Sequence, residues 1–285
     1  MAYKTALEIE AALLQDRPWS GIHFDYKKCY DQIYWELVEF LATSMGMHPR
    51  IHIPMQNMTQ GVHRRFKSGQ GLGGKWLSTN GLLQGCPLSV VTLNLVVQVW
   101  AKTLEIEIPD IIVRAFADDT AVATDSAALL QQATDITATF AETTHQELHP
   151  SKTITWAVGP EEFRADVKRT TVQGKSLTFS KYFRDLGAQI STVPRPQLGC
   201  VGKRRQAALA DARKCTTLPV QFHTKANVVA AKSGCKSLYG CEITAMSMSS
   251  RKAQRTAGVA GSWGRKSRLR NPKLVMCYLA PRPQS

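Results

Sequence analysis

The chain has almost no acid in its last third. Residues 200–285 hold 17 Lys and Arg against Asp211 and Glu242 alone, whereas residues 1–199 hold 19 against 20. The net charge of +14 therefore lies wholly in the C-terminal part. A basic segment beside a neutral one points to a polyanion partner, most simply nucleic acid. The bland alternative is a solvated basic surface, and residues 251–270, rich in Gly and Ser, have a composition that suits disorder as well as a fold. Long apolar runs are also missing. The best stretch, residues 90–100, is interrupted by Thr92, Asn94 and Gln98, which argues against a membrane span. The first residues lack the charged and apolar regions of a signal peptide. The seven cysteines include no Cys-x-x-Cys pair, which argues against a disulfide framework or a zinc site. They are expected to be reduced, buried thiols of an intracellular protein, with nucleus and cytoplasm both open. No internal repeat is evident. What is present is a chain of 285 residues, 44% hydrophobic, long enough to bury one large core beside a smaller domain.

Periodicity supplies the elements. A helix is predicted over residues 5–15, with Leu7, Ala11 and Leu14 inward. A short strand over residues 21–25 delivers Asp25 at its end. Asp31 is expected to N-cap a helix that buries Ile33, Leu37, Phe40 and Leu41. A short helix over residues 51–60 precedes a hairpin, residues 62–66 with 75–78, around a Gly-rich loop. A long helix follows Pro87, over residues 88–106. Ser126 is expected to cap a helix to about residue 147, with Ala128, Leu129, Ala133, Ile136 and Phe140 inward. A strand over residues 153–156 and a hairpin within residues 177–190 come next. Pro194 and Pro196 mark a boundary, and residues 206–215 and 224–235 have helical character. This order predicts an α+β fold, with helices on one face of a mainly antiparallel sheet.

Three short motifs carry the chemistry. Phe116-Ala117-Asp118-Asp119 lies between two apolar runs and reads as strand, tight turn, strand, with the acids at the tip. An acidic pair at a turn is ordinarily turn chemistry alone. A third carboxylate at the end of another strand changes that reading, because three acids can hold a pair of divalent cations. Asp25 supplies a candidate, in Asp25-Tyr26-Lys27-Lys28-Cys29-Tyr30-Asp31. Asn80-Gly81-Leu82-Leu83-Gln84-Gly85-Cys86-Pro87-Leu88-Ser89 has glycines that let the backbone approach a ligand, and a Pro that enters a helix. Each segment alone also reads as an ordinary junction or loop.

Taken together and in order, the motifs resemble the reverse transcriptase domain of non-LTR (LINE-type) retrotransposons, whose relatives include group II intron reverse transcriptases. The family pattern Asp-x-x-Lys-Ala-Phe/Tyr-Asp matches residues 25–31, with Cys29 where Ala is usual. Gly-x-x-Gln-Gly-x-x-x-Ser matches residues 81–89, with Val90 where a Pro is common. The Phe/Tyr-Ala-Asp-Asp box is residues 116–119. Leu-Asn-x-x-Lys-Thr matches Leu148 to Thr153 with His149 for Asn, and a Tyr-Leu-Gly element is echoed by Tyr182 to Gly187. The resemblance covers about residues 5–195. It implies a polymerase-type palm with a remnant of fingers over residues 1–195. A basic, mainly helical thumb-like region over residues 196–285 would follow.

The resemblance also implies roles. Asp25 and Asp118 would ligate two Mg²⁺ ions, for which Mn²⁺ could substitute, with Asp119 alongside. Tyr30 would crowd the sugar 2′-position and favour deoxynucleotides; its plain reading is a buried aromatic. Gln84 and Gly85 would line the nascent base pair. Lys152 would sit near the pyrophosphate; its plain reading is an exposed lysine before a strand. Asp31 is explained by helix capping. The partners implied are an RNA template, a DNA primer and deoxynucleoside triphosphates, with no membrane. Only 24 residues precede Asp25, so most of the fingers region is expected to be absent, and no endonuclease or RNase H signature is visible. Two alternatives stand beside the polymerase: a nucleic-acid-binding remnant without turnover, and a viral-type RNA-directed RNA polymerase palm. Ala117, where such palms carry Gly, argues against the last. Residues 265–270 also match a nuclear localisation patch, a pattern that is common by chance.

Overall fold

The computed structural model describes residues 1–194, 199–244 and 246–264. Two compact units divide the chain. The first holds Met1 and Leu7–Lys181; the second holds Ala2–Ala6 and the described residues from Tyr182 onward. The division falls between Lys181 and Tyr182, ahead of the proline-marked stretch.

The first unit is built on a five-stranded sheet. The strand Trp19–Phe24 is central, flanked by Asp119–Thr124 on one side and Ile154–Val158 on the other, both antiparallel to it. Ile112–Phe116 pairs with Asp119–Thr124 as a hairpin, and Thr178–Phe179 joins the far edge in parallel with Ile154–Val158. Alternate residues of a strand face opposite ways. Ile22, Phe24 and Val122 thus enter one core with Trp100 and Leu104 of the helix Pro87–Glu107, and with Leu130 and Ala133 of the helix Ala127–Thr143. Phe24 meets the Trp100 ring edge-on at 6.2 Å. The Trp100 indole N–H donates to Thr137 Oγ1 at 3.0 Å, so this buried ring leaves no polar atom stranded. On the central strand Gly21 admits no substitute. A Cβ there would stand 2.5 Å from the Trp156 ring and 2.6 Å from the Val122 carbonyl oxygen.

This is the expected α+β palm-type architecture, with several corrections in detail. The first helix runs Ala2–Gln15 and buries Thr5, Ile9 and Ala12, leaving Leu7 and Leu14 exposed. Its apolar residues lie all round, so spacing did not single out the inward face. Ser126 does cap its helix, accepting from the Leu129 N–H, but that helix stops at Thr143. Its buried residues are Leu130, Ala133, Thr134, Thr137, Ala138 and Ala141. Of the expected inward residues Ala133 is fully buried and Leu129, Ile136 and Phe140 pack partly buried against the core, whereas Ala128 is exposed. Asp31 is not an N-cap. It sits inside the single turn Cys29–Gln32, and the next helix, Trp35–Ser44, begins after Tyr34 bridges to Asn80. Ile33 is buried, but Phe40 is exposed. Within residues 177–190, Thr178–Phe179 belongs to the main sheet, and the hairpin is Tyr182–Asp185 with Ala188–Ser191. The helix Pro87–Glu107 is long and apolar enough to cross a membrane, yet Leu93, Val96, Trp100 and Leu104 are buried in the protein.

The second unit joins the Tyr182–Asp185 hairpin to helices. Gly199–Cys215 and Phe222–Val228 are helical, the latter running on through Val229–Gly234 and Cys235–Leu238. Residues 248–263 form a further helix, Met248–Trp263, where composition alone suited disorder. Its Gly261 lies against Gly199–Cys215 so closely that a Cβ would be 2.6 Å from the Ala212 carbonyl oxygen. Backbone contact at a glycine fixes this helix in place of a large apolar face. The basic run 265–270 lies outside the described residues. The cysteines depart from expectation in part: Cys29 and Cys215 are buried, whereas Cys235 and Cys241 are exposed.

Candidate active site

Sheet register places the acids. Phe24 pairs with Thr120, and Phe116 pairs with Asp119 across a two-residue turn, Ala117-Asp118. Asp25, one residue past Phe24, therefore leaves its strand at the same sheet end as Asp118 and Asp119. The turn requires a positive φ at Ala117, 54°. An L-residue held there costs about 1–2 kcal/mol relative to ordinary backbone. Asp118 and Asp119 are both exposed.

Asp25 is held from behind by the segment that carries Lys152. Its backbone N–H donates to Thr153 Oγ1 at 3.2 Å, and its carbonyl accepts from the His149 N–H at 2.7 Å. The same two segments are laced further along. The Lys27 N–H donates to the Glu147 carbonyl at 2.8 Å, the Glu147 N–H donates to Gln32 Oε1 at 2.8 Å, and Lys27 pairs with the Glu147 carboxylate. This ion pair holds the Glu147 carboxyl below the usual range. Lys152 Nζ stands 3.9 Å from Asp25 Oδ2. That oxygen is buried and accepts no hydrogen bond. An exposed pair at this distance is worth at most about 1 kcal/mol, so the ammonium can leave Asp25 for another anion at little cost.

Tyr30 and the Gly81 loop complete the surroundings. The Leu82 N–H donates to the Tyr30 carbonyl at 2.7 Å, and the Gly81 N–H to the Ile33 carbonyl at 2.8 Å. Gly81 has φ 92°, and a Cβ there would touch the Asp31 backbone at 3.4 Å. Gln84 and Gly85, the latter at φ 88°, form the exposed turn that follows. Tyr30 is half-buried, and burial together with the Asp118 charge raises its phenol. Cys29 is buried beside it. Burial first, and then the charges of Asp118 and Asp25, push its thiol up to about 12, while Gln146 Nε2 donates to the sulfur at 3.4 Å. Burial disfavours the thiolate, and the candidate ligands are the carboxylate oxygens of Asp25, Asp118 and Asp119.

That donor set fits a hard cation. Mg²⁺ ordinarily takes one or two carboxylates plus substrate phosphates and does not need an all-protein cage. Among the described residues no three His, Cys, Asp or Glu side chains form such a cage. Asp25 and Asp118 at one sheet end, with a buried Oδ2 that lacks a hydrogen bond, offer what the open arrangement requires.

A model of the family described as reverse transcriptase (RNA-dependent DNA polymerase) matches residues 3–190. The chain belongs to the reverse transcriptase family. No curated protein matches this reverse transcriptase chain. Among solved structures, it is similar to Candida tropicalis telomerase in complex with a TWJ fragment of telomeric RNA. The two are 10% identical over 97% of this chain and 52% of that one, with a TM-score of 0.49. Apo telomerase from Candida tropicalis is 10% identical over 90% of this chain and 49% of that one, at 0.48. Candida albicans telomerase with the same type of RNA fragment is 9% identical over 100% and 55%, at 0.45. The reverse transcriptase chain spans about half the length of these telomerases, and at such scores the likeness adds nothing to the family model.

Two features were missed in the sequence. Thr153 and His149 lie within a recognised motif, but nothing local shows that they clamp Asp25. The second is the arm over residues 62–78. His63–Arg64 pairs with Trp76–Leu77, and Lys67–Ser68 with Gly71–Leu72. The hairpin was foreseen; its surface was not. Phe66 is 75% exposed and lies on Trp76, with ring centroids 4.7 Å apart. Arg65, Lys67 and Lys75 are exposed around it, and no Asp or Glu occurs between Glu39 and Glu105. The missed signal was that acid-free stretch.

Proposed function

We propose that residues 1–195 are the palm, with a remnant of fingers, of an RNA-directed DNA polymerase. On this reading residues 196–285 are its thumb-like region. The ordered motifs support a further step: the chain is a segment of a non-LTR retrotransposon polymerase. The observation that carries the reading is the register that brings Asp25 to the sheet end holding Asp118, with Tyr30, Gln84 and Lys152 in the segments around it.

The reaction joins the primer 3′-oxygen to the α-phosphorus of a deoxynucleoside triphosphate and releases pyrophosphate. Asp25 and Asp118 would hold two Mg²⁺ ions, or Mn²⁺, with Asp119 alongside. When bound, such ions lower the pKa of the attacking hydroxyl and neutralise the triphosphate. Thr153 and His149 fix the Asp25 backbone, so its carboxylate is presented without reorganisation. Lys152 leaves Asp25 for the incoming phosphates and stabilises the departing pyrophosphate. Tyr30 excludes a 2′-hydroxyl, and the Gln84-Gly85 turn supports the new base pair. The exposed Phe66–Trp76 pair and its cations offer stacking and backbone contacts to the single-stranded template.

A second reading is a nucleic-acid-binding remnant without turnover. Extension of a DNA primer on an RNA template separates the two. The polymerase reading expects Mg²⁺- or Mn²⁺-dependent extension. Tight, salt-sensitive binding with no extension under either ion would leave the remnant reading in its place.

A further inference from the structure

Arg64 is set apart from the other cations of the arm. Arg65, Lys67 and Lys75 are exposed, whereas Arg64 is half-buried and its Nε is closed off from solvent. Its Nη2 donates to the Gly81 carbonyl at 3.0 Å. Gly81 is buried and held on both sides, since its N–H donates to the Ile33 carbonyl at 2.8 Å. A Cβ at Gly81 would stand 3.4 Å from Arg64 Nη2, so the guanidinium lies close against this residue. A charged donor on a carbonyl makes one of the stronger hydrogen bonds a loop can receive. Arg64 is therefore committed to the protein and not presented to a phosphate.

The rest of the loop is pinned in the same manner. The Leu82 N–H donates to the Tyr30 carbonyl at 2.7 Å, and the Leu82 side chain is buried. The Leu83 carbonyl accepts from Ser89 Oγ at 2.7 Å and from the Cys86 N–H at 3.1 Å. This last bond closes a turn whose two central residues are Gln84 and Gly85, both exposed. Gly85, at φ 88°, supplies the positive φ that the third position of such a turn takes. On the arm, Arg64 stands opposite Trp76 in the ladder, and Trp76 lies on the Phe66 ring. One hairpin therefore presents the aromatic pair and holds the loop.

We propose that Arg64 is a positioning residue: its bond to the Gly81 carbonyl fixes the loop so that the Gln84-Gly85 turn meets the nascent base pair in one geometry. The role of that turn rests on the polymerase reading, but the tie itself does not depend on turnover. Without the guanidinium, the Gly81 carbonyl loses its partner and the loop loses its link to the arm. A small displacement of a wall against the reacting pair costs rate, even where nothing that touches substrate has been removed. Primer–template binding draws on the exposed cations and the aromatic pair instead, so it does not change.

The test compares the full native chain with Arg64→Gln and with Arg64→Lys, which can still donate to a carbonyl. Arg64→Met, which keeps an apolar stem, replaces Arg64→Gln if that chain does not fold. Amide hydrogen exchange without substrate reports the tie. The Gly81 and Leu82 amides are expected to exchange about tenfold or more faster in Arg64→Gln and close to the native rate in Arg64→Lys, with Trp19–Phe24 unchanged. Single-nucleotide incorporation on an RNA–DNA primer–template reports the role. There kcat is expected to fall about tenfold or more in Arg64→Gln and to recover in Arg64→Lys, at unchanged primer–template affinity. Loop amides that exchange alike in all three chains would overturn the proposal, whatever the native chain incorporates. So would weaker binding with a salt slope reduced by about one at unchanged kcat, which would make Arg64 a backbone-phosphate contact. No incorporation by the native chain would overturn the polymerase reading, and with it the role at the base pair, while exchange still decides whether Arg64 holds the loop.

Discussion

Thr153 and Asp25, 128 positions apart, are joined by one hydrogen bond, from the Asp25 N–H to Thr153 Oγ1 at 3.2 Å. The bond ties the end of the central strand to the segment bearing Lys152. A carboxylate and the ammonium facing it are thus set by the same contact.

Thr153→Val removes that acceptor while keeping the shape of the side chain. The Asp25 N–H then loses its partner, at a cost of about 1–3 kcal/mol. Urea denaturation should show this loss, and Thr153→Ser should restore most of it. A Val variant as stable as the native chain would mean that the bond does not hold Asp25.

Ala117 sits at φ 54° in the acidic turn. Glycine takes that conformation without steric cost, so Ala117→Gly should raise stability by about 1 kcal/mol. Unchanged or lower stability in thermal unfolding would contradict strain at this turn.

Cys29 gives a pH dependence with a definite sign. Its thiol is pushed from an ordinary 9.0 up to about 12 in the fold. Below the lower value both states keep the proton. Across the interval only the unfolded chain ionises, so this stabilising contribution is lost as pH rises. Cys29→Ala should flatten that alkaline decline. At neutral pH iodoacetamide should label the exposed Cys235 and Cys241 while sparing Cys29. Rapid alkylation of Cys29 in the folded chain would show that it is not buried beneath the acids.

Phe66 and Trp76 present an aromatic surface among cations. Replacing both by Ala should weaken binding of single-stranded RNA by about 1–3 kcal/mol per lost stacking contact, with the arm still folded. Equal affinity in fluorescence anisotropy at fixed salt would remove the arm from the nucleic-acid surface.

Much of the fold was legible because its signals are local. Apolar runs marked the strands, Pro87 and Ser126 marked helix starts, and register places Asp25 and Asp118 at one sheet end, as expected if their strands are neighbours. Three things were not. The inward face of Ala2–Gln15 is set by Thr5, Ile9 and Ala12, which spacing could not single out among apolar residues that lie all round the helix. Asp31 looked like a cap because its type suits one, yet backbone bonds from the Gly81 loop to Tyr30 and Ile33 end the turn there. The clamp on Asp25 arises from a contact across the fold, which no window of sequence contains.

The central claim is that Asp25 and Asp118 act together in nucleotidyl transfer. The most direct measurement is incorporation of a single deoxynucleotide onto a DNA primer paired to RNA, with Mg²⁺ present, by the native chain and by Asp25→Asn and Asp118→Asn. Each substitution keeps the side-chain size and removes the charge. The prediction is incorporation by the native chain, abolished in both variants, with primer–template affinity unchanged. Incorporation that survives either substitution would contradict it.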